Sequence, residues 1–148
     1  MGKAGVDVNI RDTRYGRTPL SWAAEYGQEG VTKLLLEREE IDPESEDYGG
    51  KTPLSYAVKF RNEGTVKLLL EQEEVNPESR DDSGRTPLSY AATCGIEGIV
   101  KLLLEREEVN PESRDDSGRT PLSYAATCGI EGIAKLFLER EEIGRAHV

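Results

Sequence analysis

The sequence predicts an all-α repeat fold: four copies of a short helix-turn-helix unit, stacked side by side and each too small to fold alone. Three observations predict it. Thr18, Thr52, Thr86 and Thr120 recur every 34 residues, each inside a near-copy of the same passage, and self-similarity at such a period is the signature of a stacked repeat. Within each period the apolar residues fall at helical spacing. The composition, 32% charged, 36% hydrophobic and 6% aromatic, is polar for one globular core and suits an array in which much of every element meets water.

The copies read RTPLSWAAEYGQEGVTKLLLEREEIDPESEDYG, KTPLSYAVKFRNEGTVKLLLEQEEVNPESRDDSG, RTPLSYAATCGIEGIVKLLLEREEVNPESRDDSG and RTPLSYAATCGIEGIAKLFLEREEI. They place a partial loop at 6–16, copies at 17–50, 51–84, 85–118 and 119–143, and a tail at 144–148, all in a single domain 1–148. The last two copies differ at three of their 25 shared positions, Val100/Ala134, Leu103/Phe137 and Val109/Ile143. So close a match points to a recent duplication and not to two separately selected sites.

The first helix of a period starts at the TP pair. Thr86 suits the N-cap, where its hydroxyl accepts a bond from an orphan amide, and Pro87 suits the first helical position because it has no amide to leave unpaired. Leu88, Ala91 and Ala92 lie on one face, the alanines small enough to let another helix approach. Gly95 ends the helix in the C-cap position. In the second helix Ile99, Val100, Leu102 and Leu103 form a wide apolar arc, with Lys101 and Glu105 opposite. Glu97 precedes Lys101 by four residues, the favourable order for an exposed pair, and the same order recurs as Glu29 with Lys33, Glu63 with Lys67 and Glu131 with Lys135. NPESRDDSG then ends the helical pattern with turn-forming residues. Two long helices per period, as in a tetratricopeptide repeat, are excluded because too much of each period is turn-forming and the first helix is too short.

Composition excludes several function classes. A formal net charge of −10 repels phosphate and argues against general nucleic-acid or anionic-membrane binding. The two cysteines, Cys94 and Cys128, form no CxxC, and the one histidine, His147, stands next to the end of the sequence; a structural metal site needs about four ligands, so none is expected. The N-terminal MGKAGVDVNI has no apolar stretch of the signal-peptide kind, and no apolar run approaches the ~20 residues of a membrane span. The expectation is a reduced, cytoplasmic chain without cofactor. No nucleophile-base pair, phosphate loop or metal cluster can be read, so the chain is not expected to be an enzyme.

The pattern G-x-TPL-x-x-A-A-x-x-G, followed by V-K-LLLE and V-N, resembles the ankyrin repeat over about Val6 to Ile143. The resemblance implies antiparallel helix pairs joined by β-hairpin-like loops, stacked into a curved solenoid that binds another protein or peptide through its concave face and loop tips. The family carries histidine after TPL, where this chain has Ser21, Ser55, Ser89 and Ser123; a hydroxyl bonds locally but reaches less far. The serine-bearing TPLSYAA copies, the 34-residue spacing and the near-identical tandem copies are most similar to the ankyrin arrays of fungal proteins such as fungal NOD-like receptors, which implies the sensor array of a larger receptor. The alternative is a scaffold or spacer segment of a longer array.

Carried onto this chain, the family's contact positions are Arg14, Tyr15, Arg17, Glu25 and Tyr26 in the first copy and Tyr48, Gly49, Lys51, Lys59 and Phe60 in the second. The third copy gives Asp82, Ser83, Arg85, Thr93 and Cys94, and the fourth Asp116, Ser117, Arg119, Thr127 and Cys128. Trp22 joins this set as the i,i+4 neighbour of Tyr26. Interface hot spots favour Trp, Tyr and Arg, so residues 14–60 are expected to carry most of the binding energy. Trp22, Tyr56, Tyr90 and Tyr124 share one register, which also suits a role in filling space between helices. Arg17, Lys51, Arg85 and Arg119 place one cation per copy; pairing with Asp81, Asp115 or loop glutamates is favoured over a basic stripe for an acidic peptide. Cys94 and Cys128 are expected as free thiols, since packed helices lie ~8–10 Å apart and a disulfide needs Cα atoms within ~7 Å. The last copy is no more polar than the others, and the sequence opens inside a loop. Both features lead to the expectation of a piece of a longer array or of end-to-end self-stacking.

Overall fold

A computed structural model describes residues 5–146 of the chain, with side chains described through Arg140. The chain divides into two compact units, residues 1–75 and 76–148. The division falls inside a VNPES loop, away from the copy boundaries set by the TP pairs. Eight helices and no strand are present among the described residues.

In the first unit the helices are α1 (Pro19–Glu25), α2 (Glu29–Leu36), α3 (Pro53–Lys59) and α4 (Glu63–Leu70). α1 packs on α2 and α3, and α4 packs on α2 and α3, so the first helices of the two copies form one layer and the second helices another. The second unit repeats the plan with α5 (Pro87–Cys94), α6 (Glu97–Leu104), α7 (Pro121–Cys128) and α8 (Glu131–Ala146). The core lies between the layers: Leu20, Ala24, Leu54, Ala57, Val66 and Leu69 in one unit, and Leu88, Ala91, Ile99, Leu103, Ala125 and Ile133 in the other. Each buried leucine or isoleucine contributes about 1.5–3 kcal/mol, which a lone pair of seven- or eight-residue helices could not match without a neighbour.

The helix starts follow the TP pair. Thr18, Thr52, Thr86 and Thr120 are all N-caps in extended conformation, and each side chain accepts from the amide of the serine three residues on. In α3, α5 and α7 that serine answers: its hydroxyl accepts from the threonine amide, at 3.0, 3.0 and 2.8 Å, closing a reciprocal capping box. The serines that replace histidine are thus spent on their own helix starts. At the helix ends, Gly95 and Gly129 adopt the left-handed conformation at φ 72° and 68°. The equivalent residue of the second copy is Arg61, at φ 64°.

The second helices stop at Leu36, Leu70 and Leu104. α8 does not: it continues through Ala146, because IGR stands where the other copies have the helix-ending I-D-P or V-N-P. The tail expected at 144–148 is therefore helical as far as Ala146; His147 and Val148 lie outside the described residues. None of the four Glu/Lys pairs expected along the second helices is an ion pair of the described residues, and two of the glutamates, Glu29 and Glu97, make another contact. The ion pairs among the described residues are Arg17–Glu25, Arg38–Glu40 and Arg106–Glu108. Glu29 leans on the first turn of α4, where a Cβ built on Gly64 would come within 2.6 Å of its carboxyl carbon, and Glu97 leans likewise on Gly132. A carboxylate is favoured beside a helix N-terminus, and glycine leaves the room for it.

The hairpin-like loops are closed by backbone bonds without forming strands. Asp12, Asp47, Asp81 and Asp115 each donate an amide to the carbonyl of the residue before the TP pair, at 2.9–3.1 Å. Neighbouring loops within a unit are tied by a backbone bond, Tyr48 N to Tyr15 O and Asp116 N to Ser83 O, both 3.0 Å, and by side-chain bonds such as Arg11 to Ser45 and Ser113 to Glu78.

Candidate functional site

The loop aspartates organise the inner layer. In the second copy one Asp47 oxygen accepts from the amides of Gly49 and Lys51, both at 2.9 Å, and the other accepts from the Tyr56 hydroxyl. Asp81 and Asp115 do the same for Tyr90 and Tyr124. In the first copy Asp12 accepts from the Tyr15 and Gly16 amides at 2.7 and 3.0 Å and from the Trp22 indole at 2.9 Å. Each loop is thereby pinned to the ring in the middle of its own first helix. Burial, reinforced by the bond to aspartate, pushes the Tyr56, Tyr90 and Tyr124 hydroxyls above the ordinary tyrosine range. The Tyr15 amide and the Trp22 indole hold Asp12 below the usual carboxylate range against the opposing effect of burial.

Between the pinned rings of each unit lies the arginine that precedes its first TP pair. The Arg17 guanidinium sits 3.8 Å from the Trp22 ring centroid and 3.7 Å from that of Tyr56, sandwiched between neighbouring copies. It donates to Ser21 Oγ at 3.2 Å, to Ser21 O at 2.9 Å and to Glu25 at 2.7 Å. Arg17 is only 5% exposed, which removes it from the expected contact set, and Glu25 is held by it. The second unit repeats the arrangement more loosely, with Arg85 5.7 and 5.8 Å from Tyr90 and Tyr124 and Arg119 5.4 Å from Tyr124. The expected pairing of these cations with Asp81 and Asp115 takes the form of attraction without a direct ion pair: the carboxylates accept from loop amides and tyrosine hydroxyls, Arg85 is drawn to both of them, and the guanidinium groups lie on the ring faces.

Outside this sandwich the first unit exposes a second set of rings. Tyr26 stacks on Trp22 at 6.4 Å, Phe60 on Tyr56 at 6.5 Å, and Tyr15 meets Trp22 edge-on at 6.3 Å. The Tyr48 ring covers Gly16, where a Cβ would come within 2.6 Å of it. Two columns result: Tyr15, Trp22 and Tyr26 in the first copy, and Tyr48, Tyr56 and Phe60 in the second. Tyr15, Tyr26, Tyr48 and Phe60 are 45–64% exposed, while Trp22 is half-buried and Tyr56 buried. Arg14 lies 5.2 Å from the Tyr15 ring and Lys59 5.8 Å from that of Phe60; Lys51 is half-buried. Of the expected contact residues of the first two copies, Arg14, Tyr15, Trp22, Tyr26, Tyr48, Lys59 and Phe60 lie at these columns, while Arg17 is interior and Glu25 is bound to it.

The expected contact residues of the second unit form a different surface. Asp82, Arg85, Thr93, Asp116, Arg119 and Thr127 are exposed, but no ring flanks Tyr90 or Tyr124 as Tyr26 and Phe60 flank theirs. Thr93 and Thr127 return their hydroxyls to their own helices, to Ser89 O and Ser123 O at 2.9 and 2.8 Å. Cys94 and Cys128 are not joined in a disulfide. Sequence reasoning missed the loop aspartates, although an aspartate nine residues before each of Tyr56, Tyr90 and Tyr124 was a legible signal. It also missed Arg61, whose departure from glycine is visible once the copies are aligned.

Short capped helix pairs, stacked two to a unit and joined by hairpin-closed loops that carry a row of rings, define a helical-repeat interaction module. A family profile described as ankyrin repeats (3 copies) matches residues 2–81 and 63–146. The chain belongs to the ankyrin repeat family, whose members are non-catalytic modules for protein–protein interaction. No curated protein matches the sequence.

Proposed function

We propose that the chain binds a protein or peptide partner through the inner-helix and loop face of residues 14–60. One observation carries this reading: the exposed rings Tyr15, Tyr26, Tyr48 and Phe60, with Arg14 and Lys59 beside them, gather on the first unit, while the same register in the second unit holds small polar groups and thiols. Tyrosine and arginine anchors give large contact area at little entropic cost. Peptides selected from a random display library on the wild-type protein test it. Tyr26→Ala and Phe60→Ala are expected to weaken them about tenfold or more, and Thr93→Ala and Thr127→Ala to leave them within about threefold; equal or reversed losses would refute the reading.

The finer reading is a cytoplasmic sensor array of a larger receptor, of the kind fungal NOD-like receptors carry. It rests on the serine-bearing TPLSYAA copies and the near identity of the last two. A nucleotide-binding domain encoded upstream in the same reading frame would support it, and an uninterrupted array with no such domain would favour the scaffold reading. That second reading draws on the anchor-poor face of the second unit, which suits a spacer.

A further inference from the structure

We infer that the partner of the first unit is acidic: a peptide segment in which aspartate or glutamate flanks an aromatic or long apolar side chain. This rests on the proposal that the rings of residues 14–60 bind a peptide, and adds the charge of what docks there. The observation is a local reversal of charge. The chain as a whole carries −10, yet the first helices and loops of the first unit present cations. Arg14, Lys59 and Arg61 are exposed and Lys51 is half-buried, with Arg14 and Lys59 beside the exposed rings Tyr15 and Phe60.

The carboxylates between each loop aspartate and the end of its first helix are all engaged within the unit. Asp12 accepts from loop amides and Trp22, Asp47 accepts from loop amides and Tyr56, and Glu25 is bound to the buried Arg17. Outside that stretch, Glu46 before Asp47 is matched by Arg11 before Asp12. In the second unit the register of Arg14 and Tyr48 holds Asp82 and Asp116, that of Lys59 holds Thr93 and Thr127, and that of Arg61 holds Gly95 and Gly129. Cations and exposed rings therefore gather on the same unit.

Arg61 supplies a second, independent observation. It stands in the left-handed conformation at φ 64°, which costs an L-residue stability and which glycine adopts in the other copies; strain of this kind gathers at functional sites. The next residue, Asn62, donates to Ala24 O and Glu25 O at 2.7 and 2.8 Å. The turn that carries Phe60 and Arg61 is thereby fastened to the end of α1, next to Tyr26. At the other end of the two ring columns, Tyr48 N donates to Tyr15 O at 3.0 Å. The columns are held together at both ends, which spares a partner part of the ordering cost of binding. Guanidinium and ammonium groups in this frame meet carboxylates in charge-assisted bonds, while the rings take the apolar side chain. A nucleic acid could use the same rings and cations, but a phosphate at every nucleotide meets the repulsive field of the whole chain. A peptide with a few carboxylates meets it far less.

Peptides selected from a random display library on the wild-type chain, then titrated against it at two salt concentrations, test the inference. They are expected to be net negative and to bind about tenfold more weakly in about 0.5 M salt than in about 0.05 M. Arg61→Gly and Lys59→Thr install the residues of the later copies, and each is expected to weaken binding about fivefold. Arg61→Gly is expected to do so while resisting urea at least as well as the wild type, a pairing that a purely structural role for the arginine would not give. Neutral or basic peptides that still lose affinity with Tyr26→Ala and Phe60→Ala would overturn the inference and leave the ring face standing as a peptide site. Acidic peptides indifferent to both ring substitutions, or a library that yields no binder, would sink the two together. Unchanged affinity in either cation variant, or a single-stranded thymidine oligonucleotide bound as tightly as the peptides, would also overturn it.

Discussion

The interior position of Arg17 leads to a prediction that separates it from its counterpart in the second unit. Arg17→Lys keeps the charge and removes the planar fork. The guanidinium makes three hydrogen bonds, to Ser21 Oγ, Ser21 O and Glu25, and lies less than 4 Å from two ring centroids. An ammonium at the end of a flexible stem can hold the Glu25 contact but not the stacked pose together with both bonds to Ser21. Each hydrogen bond from a charged group contributes about 1.5–3 kcal/mol, and a desolvated cation–ring contact up to about 2 kcal/mol. Lysine recovers part of both, so the expected cost is about 3 kcal/mol. Arg85 is exposed and lies 5.7 and 5.8 Å from its two rings. Arg85→Lys is therefore expected to cost under about 1 kcal/mol, the range of an exposed contact. Urea denaturation followed by circular dichroism measures both, and the fluorescence of Trp22, the one tryptophan, reports on the sandwich itself. Equal losses for the two variants, or a larger loss for Arg85→Lys, would show that ring proximity and burial do not set the difference.

Three further outcomes follow from single residues. Arg61→Gly removes a side chain from the left-handed backbone at φ 64°, where L-residues lose roughly 1–2 kcal/mol; after the entropic penalty of glycine the variant is expected to gain about 0.5–1 kcal/mol in urea denaturation. The buried Thr32 hydroxyl has no hydrogen-bond partner among the described residues, while its equivalents are Val66, Val100 and Ala134. Thr32→Val keeps the shape and is expected to gain about 1 kcal/mol, read from the same curves. Burial pushes the Glu78 carboxyl above the usual range, against the hydrogen bond from Ser113. A carboxyl raised by folding binds its proton more tightly in the folded state, so ionised Glu78 weakens the fold at neutral pH and the penalty fades as pH falls through its raised pKa. Glu78→Gln is therefore expected to raise the melting temperature at pH 7 and to lose that advantage near pH 4, and a gain that grows on acidification would contradict the sign.

The helices were legible because their punctuation is local. Thr-Pro starts, glycine ends and 3.6-residue apolar spacing concern neighbours within one turn or two, and every first helix begins at its TP pair. The roles of Arg17 and Arg85 were not legible, because one of the two rings that each meets belongs to the next copy along the chain, Tyr56 for Arg17 and Tyr124 for Arg85. Arg17 looks like Arg85 in sequence, yet the loop before Arg17 holds one more residue than the loop before Arg85, and the first ring there is the indole of Trp22 instead of a phenol. The Glu29–Lys33 spacing was correct for a salt bridge on an isolated helix, but stacking presents Glu29 with the first turn of α4, a contact no single-helix rule contains. α8 outruns its siblings for a reason that could have been read: the proline that follows the other second helices is missing from the last copy.

The same rings hold the fold and shape the candidate surface, and this decides which substitutions can report on binding. Trp22 and Tyr56 each turn one face to Arg17 and reach a loop aspartate, so their removal would loosen two copies and both loops before any partner was tested. Tyr26 and Phe60 stack on the outer side of those rings and are 64% and 45% exposed. Their contribution to stability is bounded by one exposed aromatic contact, about 0.5–1.5 kcal/mol, while a partner that buries them would draw on their full apolar area. A loss of affinity at Tyr26 or Phe60 with an unchanged unfolding curve therefore belongs to the interface, and the same loss at Trp22 or Tyr56 does not.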